Sequence, residues 1–235
     1  VTSTDSFTAA DLLTLISDMS AWDDREQADL ARIKEWAQSG APLFRTVKPA
    51  TPNPHLVSYF VVADGERVLL VAHRAAGLWL PTGGHVEPGE DPWAAARREC
   101  GEELGIEAVP HPVVGRRPLF ATVTRTLGPD THTDVSLWFV LTARAQDVTA
   151  WDHREFDAIR WVRLADLAGA CSGPGACPGR VSGSDSGSGS DFGSDSDSGS
   201  DSGSEDPAML DPRMPAFAAK LAAAVTTARR DPATA

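Results

Sequence analysis

The chain has no long hydrophobic run. Nowhere do apolar residues approach the roughly 18 in succession that a membrane span requires, and no basic stretch followed by an apolar core opens the sequence. The expectation is a soluble, cytoplasmic protein with no membrane partner. Cysteine is scarce as well, with Cys100, Cys171 and Cys177 the only three in 235 residues. An odd and sparse set excludes a disulfide scaffold and suits a reducing compartment. Cys171 and Cys177 lie in a Gly/Pro-rich stretch with no second ligand pair, which excludes a zinc ribbon. Positive charge is short too. Lys34, Lys48 and Lys220 are the only lysines, and the formal net charge is −12, which argues against a nucleic-acid partner.

The negative charge that is present is unevenly placed. Residues 182–206 are almost pure Ser, Gly and acid: Asp185, Asp191, Asp195, Asp197, Asp201, Glu205 and Asp206 supply seven negative charges, and Phe192 is the one bulky apolar residue. On each side of this tract the pattern is that of a folded domain. Thr8 is placed to cap a helix through about Ser20 that carries Leu12, Leu13, Ile16 and Met19, and a second helix is expected over roughly Arg25–Ser39. Ser58–Ala63 and Arg67–Ala72 read as strands of a hairpin parted by Asp64-Gly65. Val113–Thr124, Asp134–Thr142 and Ala158–Arg163 read as further strands, and Pro215–Arg229 as a helix with Phe217, Leu221 and Val225 on one side. Strands with a helix between them and helices at both ends predict an α+β fold, a mixed sheet between helices. The expected organisation is an N-terminal helical extension at 1–45, a catalytic domain at 46–170, a disordered linker or insertion at 171–206, and a C-terminal helix at 207–235 docking back on the domain.

The richest stretch lies in the middle. Gly84, Glu90, Arg98, Glu99, Glu102, Glu103 and Gly105, closed by Ile106, stand at fixed spacings. Asp91-Pro92 is a helix start, a carboxylate able to cap free N–H groups followed by proline at the first helical position. Gly105 is the matching stop. Trp93, Ala96, Cys100 and Leu104 then fall on one apolar stripe, with Glu99, Glu102 and Glu103 crowded beside it. Carboxylates three and four residues apart repel one another. Either they form an ordinary solvated charged face, or a hard divalent cation with oxygen ligands reverses the penalty. Just upstream, the apolar run Leu78-Trp79-Leu80 leads into the glycine-rich Thr82-Gly83-Gly84-His85, expected as a loop whose backbone comes close to a ligand.

These residues together resemble the Nudix box, in which Gly, five residues, Glu, seven residues, Arg-Glu, an aliphatic, any residue, Glu-Glu, any residue, Gly and an aliphatic follow in order. Only Cys100 departs from it, at the aliphatic position, and a free cysteine packs there as a small hydrophobe. The resemblance is specific over 84–106 and extends by element order over about 45–170. It implies a Nudix-type α/β/α sandwich and a hydrolase that cleaves a diphosphate bond in a nucleoside diphosphate linked to another moiety, with Mg²⁺, or Mn²⁺ in its place, as cofactor. It implies that Glu99, Glu102 and Glu103, with the carbonyl of Gly83, hold the metal. Arg98 would orient Glu99, and Glu90 would support Arg98. A general base is implied well downstream of the box, where Glu155, or with less support Asp152, stands in Trp151-Asp152-His153-Arg154-Glu155. For substrate contacts, position suggests Gly84, His85 and Arg74, with Arg116, Arg117 and Arg125 as further phosphate-binding candidates. His132, Asp134 and Ser136 alternate on one strand face, either lining a pocket or facing water.

Substrate motifs of family subgroups are missing. The one tyrosine, Tyr59, lies upstream of the box rather than downstream. Three readings follow: a nucleotide pyrophosphatase acting on a triphosphate such as oxidised dGTP, a hydrolase of a non-nucleotide diphosphate, and a non-catalytic nucleotide-binding regulator. The acidic tract yields a prediction of its own. Replacing residues 182–206 with a short Gly-Ser linker leaves kcat and Tm nearly unchanged, because the tract has almost nothing to bury. Slow amide exchange across it, or loss of activity on replacement, refutes the linker reading.

Overall fold

The elements follow from local chemistry. Thr8 caps helix α1 (Ala9–Ser17) through a reciprocal capping box with Asp11, and Asp23 caps α2 (Asp24–Gln38) by accepting from the Glu26 amide. The computed structural model describes residues 6–47, 51–126, 131–169 and 209–230. The 171–206 segment expected as a linker falls outside the described residues.

Nine strands form one sheet. Strand β1 (His55–Asp64) turns at Gly65-Glu66 into β2 (Arg67–His73), with Asp64 opposite Arg67. The turn therefore lies one residue later than the Asp64-Gly65 signal suggests. β3 (Leu78–Leu80) and β4 (Thr82–His85) follow, then helix α3 (Pro92–Leu104) and the short β5 (Val109–Pro110). The chain continues through β6 (Phe120–Arg125), β7 (Thr133–Thr142), β8 (Phe156–Arg163), α4 (Leu164–Gly169), β9 (Met209–Leu210) and α5 (Met214–Arg230). β7 runs parallel to β1 along nearly its whole length, which makes the sheet mixed. On its other side β1 pairs first with β4 and then, near its end, with β2, which leaves to pair with β3 and β8.

Two sequence expectations change. The strand expected over Val113–Thr124 is confined to Phe120–Arg125, because Pro112, Gly115 at φ +71° and Pro118 break the segment before it into turns. The glycine-rich Thr82–His85 is not a loop but a strand paired with Val57–Phe60. Gly83, at φ +149°, is required there, since a Cβ would fall on the backbone of Ser58 and Tyr59.

The sheet is covered on both faces. Leu56, Phe60 and Val62 of β1 and Leu137 and Phe139 of β7 pack with Ala95, Ala96 and Cys100 of α3 and with Leu12, Ile16 and Ile33 of the N-terminal helices. The alternate residues Val61, Ala63, Trp138 and Val140 pack with Phe217, Ala218 and Leu221 of α5. Helix α2 also closes an edge. Glu26 accepts from the Ala121 amide at 3.2 Å and Asp29 from the Val123 amide, so two carboxylates one helical turn apart meet the outward N–H groups of β6. Glu26 is fully buried and also receives Lys220 of α5 at 2.8 Å. No described helix is long and apolar enough to cross a membrane.

Removing one partner from a buried ion pair leaves an uncompensated charge. Lys220→Met is therefore expected to destabilise the fold by about 3 kcal/mol, read as a lower urea midpoint, with part of the loss recovered in the Glu26→Gln/Lys220→Met double variant. A change within about 0.5 kcal/mol for Lys220→Met refutes this.

Candidate functional site

Helix α3 is fixed at both ends by its own sequence. The Asp91 carboxylate accepts from the Trp93 and Ala94 amides at 2.9 and 3.1 Å, and Gly105 ends the helix at φ +64°, a left-handed conformation that suits glycine. Ser58 of β1 donates to the Pro92 carbonyl, tying the start of the helix to the central strand.

Arg98 organises the middle. Its Nε and Nη2 donate to the two oxygens of Glu90 at 3.1 and 2.9 Å, Nη2 donates to the His85 carbonyl at 3.1 Å, and Nη1 donates to Glu99 at 2.7 Å. Paired hydrogen bonds from a rigid guanidinium fix both partners in direction as well as distance. Glu90 and Glu99 hold the guanidinium firmly in its charged form. The glutamates beside it differ sharply in environment. Glu102 is exposed, with an oxygen 3.8 Å from Arg98. Glu99 is largely buried, and burial raises its pKa against the opposing pull of Arg98. Glu103 is buried against the sheet, where Thr82 donates a short hydrogen bond to it. Burial pushes its carboxyl up to about 9, Thr82 opposes, and the negative charges of Glu99, Glu155 and Asp152 add to the rise.

The downstream loop comes to the same place. The Asp152 amide donates to the Glu103 carbonyl at 2.8 Å, so residues 151–155 lie over the C-terminal end of α3. Within that loop Asp152 is held by Arg154, which lowers its pKa to about 2, whereas Glu155 is exposed. Gly84 of β4 completes the arrangement: a Cβ there would collide with the Glu99 carboxylate. Crowded carboxylates, one of them buried with no ion-pair partner among the described residues, and a backbone recess filled by Glu99 fit a hard divalent cation with oxygen ligands. Glu99, Glu103 and the more exposed Glu102 are the residues able to hold it.

Other candidates go elsewhere. Arg74 is drawn to Asp157 at 2.7 Å, although its amide donates to the Glu155 carbonyl. Arg117 pairs with Asp18 at 2.6 Å, and Arg116 and Arg125 are exposed. The His85 ring lies beside His55 and His132 rather than beside Glu99. Sequence reasoning missed Thr82, Ser58 and Arg45. Thr82 and Ser58 are brought to the helix by the pairing of β1 with β4 and carry no spacing signal. Arg45, half-buried, is close enough to feel both Asp134 and Glu99.

Residues 53–175 match a family model described as the NUDIX domain, just over half of the chain. The chain belongs to the NUDIX family. It is 31% identical over 102 residues to an RNA pyrophosphohydrolase of Gluconacetobacter diazotrophicus, covering 39% of this chain and 60% of that protein. It is 51% identical over 41 residues to the asymmetrical bis(5'-nucleosyl)-tetraphosphatase of Caenorhabditis elegans, covering 17% of this chain and 30% of that one. The chain thus spans less than two thirds of the length of either curated relative. Among solved structures, a NUDIX-family hydrolase from Clostridium perfringens is similar at 24% identity and a TM-score of 0.40, over 50% of this chain and 87% of that one.

The recess at Gly84 can be tested against a neighbour. Gly84→Ala is expected to lower Tm and to shrink the rise in Tm on adding Mg²⁺, because the methyl displaces Glu99. Gly101→Ala, in the same helix with open space around it, is expected to stabilise by about 0.5–1 kcal/mol. A Gly84→Ala protein that melts and responds to Mg²⁺ like the parent removes Gly84 from the arrangement.

Proposed function

We propose that this protein is a Mg²⁺-dependent hydrolase of a diphosphate bond in a nucleoside diphosphate linked to another moiety, acting in the cytoplasm. The observation that carries the reading is the buried Glu103 carboxyl, which has no ion-pair partner of its own among the described residues and lies within reach of the charges of Glu99, Glu155 and Asp152. Mg²⁺, or Mn²⁺ in its place, would be held by Glu99, Glu102 and Glu103 with the Gly83 carbonyl. When bound it supplies charge neutralisation for the substrate phosphates and a lower pKa for water.

The chain's own groups do the rest. Arg98 holds Glu99 in one orientation, and Glu90 locks Arg98, so the carboxylates do not need to reorganise as charge develops. Gly84, having no side chain, lets the Glu99 carboxylate lie directly against strand β4. Glu155, exposed on the loop over α3 and free of the Arg154 clamp that occupies Asp152, is the general base that takes a proton from the attacking water. Arg74, drawn to Asp157, and His85, turned away from Glu99, are given no part in bond cleavage. The names of the two curated relatives support a nucleotide substrate. A non-nucleotide diphosphate would use the same carboxylates and is separated only by a substrate panel. A non-catalytic regulator is disfavoured by the complete set of box carboxylates.

Purified protein with Mg²⁺ is to be offered nucleoside triphosphates, oxidised dGTP, dinucleoside polyphosphates, ADP-ribose, sugar nucleotides, triphosphate-ended RNA and prenyl diphosphates, with products read by mass spectrometry. A nucleoside monophosphate plus a second phosphorylated product is expected. Glu103→Gln is expected to lower kcat by roughly two orders of magnitude or more, and Glu155→Gln by a similar factor with KM little changed. Turnover of a prenyl diphosphate alone overturns the substrate class, and a Glu103→Gln variant with parental turnover overturns the mechanism.

A further inference from the structure

Strand β4 has two faces, and only one of them serves the carboxylates of α3. Side chains directly opposite one another in paired strands share a face, and successive residues alternate. His55 of β1 lies opposite Asp134 of β7, Val57 lies opposite Ser136, and on the other side of β1 Val57 lies opposite His85 of β4. His55 and Val57 follow the same alternation as Val61 and Ala63, which face α5 rather than α3. His132, two residues before Asp134, falls on that face as well. The register thus gathers three imidazoles and one carboxylate, from three different strand ends, on the side of the sheet away from the Nudix helix.

Their ligand atoms all lie within 4.8 Å of one another. The rings of His55 and His85 are 4.8 Å apart, and those of His55 and His132 are 5.0 Å apart and stacked. The hydrogen bonding of His55 is informative. Its side chain is fully buried, and Nδ1 lies 2.8 Å from the Pro52 carbonyl. A carbonyl can only accept, so Nδ1 carries the hydrogen and the neutral ring presents the Nε2 lone pair to the cluster. That lone pair is buried without a hydrogen-bond donor among the described residues, and it faces Asp134 Oδ1, another acceptor, at 3.4 Å. His132 approaches the same carboxylate: Nδ1 is 3.2 Å from the Thr126 hydroxyl, and Nε2 is 3.1 Å from the same Asp134 oxygen, with which the ring hydrogen-bonds. An outward ring nitrogen anchored to a backbone or side-chain oxygen, with the other turned inward, is how metal-binding histidines are held.

We propose that His55, His85, His132 and Asp134 form a second metal site, distinct from the carboxylates of α3, that takes a divalent transition metal of the Zn²⁺ type. Three nitrogens and one oxygen suit Zn²⁺ or Co²⁺ and not Mg²⁺, which prefers oxygen ligands throughout. Bonds of about 2.0–2.1 Å in a tetrahedron put neighbouring donor atoms about 3.3 Å apart, and the 3.4 and 3.1 Å separations around Asp134 already have that spacing. Four protein ligands leave no open position, so the ion is structural. It ties the start of β1 and the approach to β7 to the end of β4, one residue from Gly84. Burial opposes the charge of Asp134, while His132 at 3.1 Å and the guanidinium of Arg45, which makes no ion pair with it within 4 Å among the described residues, favour it.

The test uses the full chain, stripped with a chelator and kept in excess Mg²⁺. Calorimetric titration is expected to give one Zn²⁺ per chain with a rise in Tm, and Co²⁺ is expected to give the strong visible absorption of a tetrahedral site. His132→Gln, at a partly exposed position, is expected to weaken Zn²⁺ binding by roughly 100-fold or more while Glu103→Gln leaves it unchanged. His132→Cys, which keeps a ligand, is expected to retain binding and to add a thiolate-to-cobalt charge-transfer band, a signature of direct ligation. Absence of Zn²⁺ binding to the parent protein, or binding lost in Glu103→Gln and kept in His132→Gln, overturns the proposal. Neither outcome bears on Mg²⁺-dependent hydrolysis, which is measured without Zn²⁺.

Discussion

The Arg98 guanidinium is the contact on which the carboxylate site depends. It joins a helix residue, Glu99, to a residue of the preceding loop, Glu90, and to the backbone of a strand at His85. Backbone pairing, the buried Val86 and the packing of α3 bring those three segments near one another, and the guanidinium fixes the directions of their polar groups. A lysine there would offer one point charge where Arg98 uses a planar fork. Around this clamp the glutamates separate into different electrostatic environments: Glu102 toward solvent, Glu99 against Arg98, and Glu103 beneath, against Thr82.

That separation is costly for the isolated chain. A buried carboxyl with three further carboxylates nearby opposes folding unless it is protonated or met by a cation. The rest of the fold compensates. α3 is capped at both ends and its Ala95, Ala96, Cys100 and Leu104 pack on the sheet, so the strained face is carried on a rigid support. Local rules are commonly broken where a ligand completes the structure.

The N-terminal helices belong to the same argument. Through Glu26 and Asp29, α2 supplies acceptors to the edge of β6, and the Glu26–Lys220 pair joins α2 to α5 around that edge. Strand β6 pairs with β7, whose first residues carry Asp134 and Ser136. α2 and α5 thus brace the strand pair that bears Asp134 of the histidine cluster.

The sequence by itself determined what is local. The Asp91-Pro92 start, the Gly105 stop and the spacing that puts Arg98 beside Glu99 and Glu102 depend on helical periodicity over a few turns, and each can be read without knowing what packs where. The family was legible for the same reason. Tertiary structure decided what depends on register and approach. The glycine pair became a strand because Gly83 and Gly84 let β4 close on β1 and Glu99. Thr82 met Glu103, Arg74 went to Asp157, and the loop at Asp152 settled on the end of α3. The alternation of His132, Asp134 and Ser136 was visible along the chain, but that His55 and His85 join them was not. Their meeting depends on a parallel pairing between strands some eighty residues apart and on an antiparallel pairing across β1, and no local pattern encodes which residue of one strand comes to lie opposite which residue of another.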